Sequence, residues 1–246
     1  MMGLSISSLG LFKECPRCFW LEKNRKIKRP RGPFPTLPKG MDRVMKEQVE
    51  RIVAANGAVR PLSAIAGASP FKDRSRLVAF RSWRTFQRQI EVSGVSVTVW
   101  GELDDLIEHE DGRVSPWDFK TKGDEPDDAY GKKWYGDQLD MYHLLLEGQG
   151  LQCTGIGYLS YGWPESINED DLVVFGWKNI VLETDPSRSV DLLDGAVKCL
   201  SGAKPAPGLN FWSGKATPCE WCSFATERQM ELEADSKVSK TKAARK

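Results

Sequence analysis

The chain has 246 residues, 40% hydrophobic and 28% charged, with a formal net charge of +1. That is the composition of an ordinary globule able to bury a sizeable core, and near-neutrality argues neither for nor against a polyanionic partner. No stretch reaches the roughly 18 apolar residues of a membrane span, and "MMGLSISSLGLF" lacks a charged start and long apolar run, so a cytoplasmic protein without membrane association is expected.

From the N-terminus, "SISSLGLFKECPRCFWLEK" offers serine caps followed by Leu9, Phe12, Phe19 and Trp20, which predicts a helix bent near Pro16. Basic "KNRKIKRPR" (23 to 31) has the usual look of a solvated loop, and Pro/Gly-rich "RPRGPFPTLPKG" (29 to 40) reads as a loop too. Met41, Met45, Val49 and Ile52 recur at helical spacing, predicting an amphipathic helix from Met41 to about Val53 with Asp42 and Lys46 on a neighbouring polar face. Residues 54 to 76 give no clear pattern.

"WRTFQRQIEV", "VSVTVWGELDDLIEHE" and "RVSPWDFKTK" are strand-like, and "SG" and "EDG" between them predict a hairpin meander. "GDQLDMYHLLLE" (136 to 147) reads as a helix with Leu139, Tyr142 and Leu146 at core spacing. "CTGIGYLSYGW" and "LVVFGWKNIVLET" add two strands, "PSRSVDLLDGAVKCLSG" a helix, and a Pro/Gly loop leads into "CEWC". Together they predict an α/β domain over residues 1–233, one mixed sheet with helices packed on it, and a basic disordered tail from 234 to 246.

Of the six cysteines, Cys153 and Cys199 sit alone in apolar contexts. The other four form two C-x-x-C units: Cys15 with Cys18, and Cys219 with Cys222. One such turn converges two thiolates on a metal, and two complete a tetrahedral sulfur set for zinc or an iron–sulfur cluster. Four buried free thiols or a redox-active pair are the competing readings. A metal there would close almost the whole chain into a loop.

Chemistry concentrates in "VSPWDFKTKG" (114 to 123). Alternation along a strand puts Asp118 and Lys120 on one side, with Trp117 and Phe119 on the other, where a core can take them. The hairpin partner ends at Asp104 and Asp105, so a second carboxylate can meet Asp118. Two carboxylates and a backbone carbonyl suit Mg²⁺ or Mn²⁺, beside which Lys120 could orient water or neutralise charge on a phosphate. An ordinary exposed salt bridge is the bland alternative, and an isolated D-x-K triplet would favour it. Gln138 and Tyr142, four apart on one helix, could reach the same site, although a surface amide and a core tyrosine would leave the same pattern.

"GELDD", then "DFK", then "QLDMY" resemble the motifs of the PD-(D/E)XK nuclease superfamily: G-x-x-D, (D/E)-x-K and Q-x-x-x-Y. With "CPRC" and "CEWC" flanking them, the resemblance over residues 5 to about 225 narrows to RecB-like nucleases, including CRISPR-adaptation exonucleases and AddB-type helicase–nucleases. It implies a restriction-endonuclease-like core, a mixed central β-sheet flanked by helices, with the chain ends joined by a four-cysteine site, commonly a four-iron, four-sulfide (4Fe–4S) cluster. It makes Asp104 and Asp118 metal carboxylates with the Phe119 carbonyl, Lys120 the catalytic lysine, and Gln138 and Tyr142 positioning groups. Where many relatives have a histidine or glutamate ligand on an early helix, this chain offers Asp42, with Glu47 a weaker candidate. Cluster-bearing relatives usually place one cysteine in front and three behind, whereas this chain has two and two, which makes zinc a serious competitor.

The expected substrate is DNA, at ends or in single strands, with a helicase or CRISPR-adaptation partner. "YGKKWYGDQ" places Lys132, Lys133, Trp134 and Tyr135 just ahead of the Gln138 helix, where they could contact phosphates and stack a base or simply pack on the core. The competing functional expectation is a non-catalytic DNA-binding or scaffold module with a structural zinc.

Overall fold

The computed structural model describes residues 2–30, 32, 36–206, 208–210 and 217–243; of residues 209, 210 and 234–243 it describes the backbone alone. In chain order the elements are β1 (Met2–Ser5), α1 (Ile6–Glu14), α2 (Pro16–Arg25), α3 (Thr36–Ala54), β2 (Ala68–Pro70), α4 (Arg74–Phe80), β3 (Gln87–Val92) and β4 (Val95–Trp100). Then come β5 (Asp105–His109), β6 (Val114–Thr121), α5 (Asp128–Gly148), β7 (Ile156–Ile167), β8 (Val173–Glu183), α6 (Pro186–Ser201), β9 (Leu209–Asn210), β10 (Thr217–Pro218) and α7 (Glu220–Ala243). They gather into two compact units, Met1–Ile6 with Pro33–Leu192, and Ser7–Gly32 with Leu193–Lys246.

The first unit is built around β6, which is buried from Val114 to Phe119. Its sheet runs in the order β2-β5-β6-β7-β8, antiparallel except for the parallel pair β6 and β7. The alternation expected along β6 holds. Trp117 and Phe119, ring centroids 4.7 Å apart, pack with Met45 and Val49 of α3 in one apolar cluster. On the opposite face lies α5, where a Cβ at Gly131 would stand 2.9 Å from Ile180 and one at Gly157 3.0 Å from Leu139. The result is a mixed sheet between helices, a restriction-endonuclease-like α/β arrangement.

The meander expected as one sheet is divided. β3 and β4 pair with β1 in a separate three-stranded sheet, and the chain changes partners between Trp100 and Asp105. Across that break, the Gly101 and Leu103 amides donate to the Phe86 and Phe80 carbonyls instead of a ladder. A Cβ at Gly101 would stand 2.6 Å from the Ile6 Cδ1 methyl and 3.3 Å from the Tyr142 ring, so the chain passes close under both side chains as it leaves the sheet.

Other departures are local. α3 begins at Thr36, inside the stretch read as a loop, since proline is tolerated in a first helical turn. α5 begins at Asp128, capped by the Asp127 carboxylate on the Tyr130 amide, so Lys132 to Tyr135 are helical and not loop residues. α4 fills part of the unassigned region.

In the second unit, the expected bend near Pro16 is a break at Cys15, whose extended backbone separates α1 from α2. The Phe12 and Phe19 rings meet tilted at 55° with centroids 5.3 Å apart, and α7 runs to Ala243, well into the segment expected as a tail. Residues 244–246 of that tail lie outside the described residues, as do 211–216 of the loop before "CEWC".

Candidate functional site

Antiparallel pairing of β5 with β6 sets Asp105 opposite Trp117, and continuing that register by one residue sets Asp104 opposite Asp118. The side chain of Asp104 turns back onto β6, where its Oδ2 accepts from the Phe119 amide at 3.0 Å. Asp118 is 1% exposed and forms an ion pair through Oδ2 with Lys120 Nζ. Its Oδ1 accepts from Gln138 Nε2 at 3.1 Å. Gln138 also donates to the Tyr142 hydroxyl at 2.6 Å, and that hydroxyl donates to the Glu102 carbonyl at 2.6 Å. One hydrogen-bonded chain thus links Asp118, Gln138 and Tyr142, Lys120 joins it as the ion-pair partner of Asp118, and Asp104 joins it through the β6 backbone.

Charge and burial set the protonation preferences. Burial pushes the Asp118 carboxyl up to about 7, the nearby Asp104 carboxylate adds to the rise, and Lys120 opposes it. Burial works against the Lys120 ammonium, but Asp118 and then Asp104 outweigh it and hold its pKa above the ordinary value. Complete burial keeps the Tyr142 phenol protonated. Lys120 Nζ lies 4.6 Å from the ring centroid of Tyr135, a cation–π contact beside its ion pair with Asp118.

Asp104 and Asp105, adjacent in sequence, separate completely. Asp105 is fully buried and held by the two terminal guanidinium nitrogens of Arg74 at 3.0 and 3.1 Å. Arg81 reinforces the turn, its Nε donating to the Asp104 carbonyl at 2.8 Å. Glu50 of α3 pairs with both arginines. Asp105 is therefore structural, and the network it anchors fixes the backbone that presents Asp104.

Asp42 reaches this neighbourhood indirectly. Lys46 lies one helical turn along α3, and its Nζ is 3.0 Å from Asp42 Oδ2 and 2.7 Å from Asp104 Oδ1. Glu47 instead pairs with Arg43 at 2.9 Å on an exposed flank. Lys46 and Tyr135 are the contributors that motif reading did not place here. The i,i+4 spacing of Asp42 and Lys46 was the available signal for the first; the helical extension of α5 hid the second.

The family model of the PD-(D/E)XK nuclease superfamily matches residues 3–226. The chain belongs to this superfamily. No curated protein matches it. Among solved structures, "Crystal structure of SSO0001" is similar at 17% identity, covering 82% of this chain and 78% of that one, with a TM-score of 0.41. PD-(D/E)XK nucleases are divalent-metal hydrolases whose substrate is DNA, and the acid, acid and lysine described above are the residue types such chemistry needs.

The second unit of this PD-(D/E)XK nuclease carries the cysteines. Cys15 precedes α2, Cys18 lies in its first turn, and Cys219 and Cys222 straddle the start of α7. The sulfurs of Cys15 and Cys222 are 3.8 Å apart, and Cys18 is 3.7 Å from both Cys219 and Cys222. All four fall within 4.8 Å of one another and are largely buried, a set that fits one bound metal. Gly208 closes over them: a Cβ there would stand 2.8 Å from Cys15 Sγ, and its carbonyl accepts from the Cys219 amide at 3.0 Å. Arg29 donates to Cys219 Sγ at 3.5 Å while paired to Glu14, a cation beside sulfurs that would be thiolates on a metal. Cys199 instead donates to the Pro16 carbonyl at 3.8 Å. Among the described residues no helix is long and apolar enough to cross a membrane.

Proposed function

We propose that this nuclease hydrolyses phosphodiester bonds in DNA ends or single strands as a RecB-like exonuclease. The observation that carries the reading is the convergence of Asp104, Asp118 and Lys120 at the ends of β5 and β6. A bound Mg²⁺ or Mn²⁺ would be held by Asp104, Asp118 and the Phe119 carbonyl, with Asp42 linked to Asp104 through Lys46, and would supply Lewis-acid polarisation of the scissile phosphate and of water.

The chain's own groups do the rest. Lys120 Nζ stays protonated, so it acts by orienting water and meeting the negative charge that grows on the phosphate, not by removing a proton. Gln138 fixes one oxygen of Asp118, and Tyr142 fixes Gln138 against the Glu102 carbonyl, which keeps the carboxylate aimed. Trp134, 40% exposed on α5 beside Lys133, is the side chain we assign to stacking an unpaired base. A setting in DNA repair, recombination or CRISPR adaptation, beside a helicase or adaptation partner, rests on the RecB-like placement of the cysteine pairs alone.

At the four cysteines we infer zinc. Sulfurs at about 2.3 Å around one tetrahedral ion stand about 3.8 Å apart. The observed contacts of 3.7 to 3.8 Å support that single-ion spacing. A 4Fe–4S cluster puts each thiolate on its own iron and so needs a wider set.

The test of catalysis is a comparison of wild type, Asp118→Ala and Lys120→Ala on end-labelled single-stranded DNA with Mn²⁺. Each variant should lose activity by roughly a hundredfold or more. Equal cleavage by all three would overturn the catalytic reading and leave a non-catalytic DNA-binding module in its place.

A further inference from the structure

The carboxylates of this site are already occupied by the chain itself. Asp104 has Oδ1 against Lys46 Nζ at 2.7 Å and Oδ2 against the Phe119 amide at 3.0 Å. Asp118 has Oδ1 against Gln138 and Oδ2 against Lys120. Of these partners, Lys46 is the one with no counterpart in the catalytic set just described. Its ammonium spans two acids, Asp42 on its own helix and Asp104 just ahead of β5, and the Lys46 side chain as a whole is 29% exposed.

A protonated amine held between two carboxylates does electrostatically what a divalent ion there would do: it screens one acid from the next in a poorly solvated site. Lys46 holds Asp42 and Asp104 each by a separate contact, so its one ammonium bridges the two acids.

We propose that Lys46 is a resident counter-ion of the nuclease site, which a divalent cation must displace from Asp104 Oδ1 in order to bind. The inference rests on the reading of Asp104 and Asp118 as ion ligands. It makes Lys46 a positioning residue that sets cation affinity: the ammonium keeps the metal-free acids apart in charge, and its departure releases Asp104 and Asp42 together to the incoming ion. Lys120 differs, since its partner Asp118 is buried and its ammonium also lies over the Tyr135 ring.

Calorimetric titration with Mn²⁺ alone, on full-length protein without DNA, separates the possibilities. Lys46→Met should bind Mn²⁺ about tenfold more tightly than wild type, because the competitor is gone while all three carboxylates remain. Lys46→Arg should bind a few-fold more weakly than wild type, because a guanidinium fork grips two carboxylates more firmly. Asp118→Asn should bind at least about tenfold more weakly. If Lys46→Met binds no better than wild type while Asp118→Asn binds worse, the counter-ion role is wrong and the metal site stands. If Asp118→Asn binds as well as wild type, the metal-site reading itself is wrong. Should Lys46→Met fail to fold, the arginine variant decides: affinity equal to or above wild type overturns the proposal.

Discussion

Asp118 shows what a single carboxyl experiences when a strand carries it into the interior. Its proton affinity is raised because burial disfavours the charged form and Asp104 is close; Lys120 offsets only part of this. Between the ordinary carboxylate range near 4 and the native value of about 7, the folded protein binds a proton that the unfolded chain has released. Stability from this group is therefore complete below the unfolded pKa and is lost as pH rises toward 7. With no divalent ion added, wild type should lose a few kcal/mol of unfolding free energy across that window relative to Asp118→Asn, as measured by urea unfolding at a series of pH values. Parallel pH profiles for the two proteins would contradict the buried-carboxylate account. The neighbouring pair Asp104 and Asp105 makes the complementary point. Two like residues take opposite duties because the strand sends one toward the Phe119 amide and the other into Arg74.

At the scale of elements, α5 is the part that aligns Gln138 and Tyr142 with β6. Its approach to the sheet is permitted by Gly131, where a methyl group would meet Ile180 at 2.9 Å and Leu159 at 3.3 Å. Gly136, one and a half turns further on, has nothing within 4 Å of the same position. Gly131→Ala should therefore destabilise by about 1–3 kcal/mol through forced repacking. Gly136→Ala should be neutral or stabilise by up to about 1 kcal/mol through helix propensity. Urea denaturation of the two variants checks both signs, and equal effects would remove close packing as the explanation. The motif spacing of Gln138 and Tyr142 was legible because i,i+4 residues share a helix face whatever lies beneath. The start of α5 was not, because its first turns contain Gly131, Lys132 and Lys133, and the Asp127 cap that begins the helix lies well before the apolar repeat.

For the molecule as a whole, the four thiols join chain segments far apart in sequence: the Cys18 and Cys219 sulfurs, 3.7 Å apart, are separated by 201 positions. An ion there adds its binding free energy to folding and shortens the unfolded chain's loops. The purified protein should be colourless with stoichiometric zinc, and Cys18→Ser with Cys219→Ser should lower Tm by on the order of 10 °C. A brown protein with iron and labile sulfide would replace zinc by a cluster, and an unchanged Tm in the double variant would deny the centre a structural role. Read alone, the sequence determined the residue types and their local phase: which side of β6 carries Asp118 and Lys120, which helix face carries Gln138 and Tyr142, and which cysteines come in pairs. Those follow from strand and helix periodicity, which are properties of neighbouring residues. Only the tertiary structure decided that the meander splits at Gly101, that Asp105 is an arginine partner and not a site acid, and that Lys46 comes from a different element to sit on Asp104. Contacts of that kind depend on how separate elements pack, and no local period encodes them.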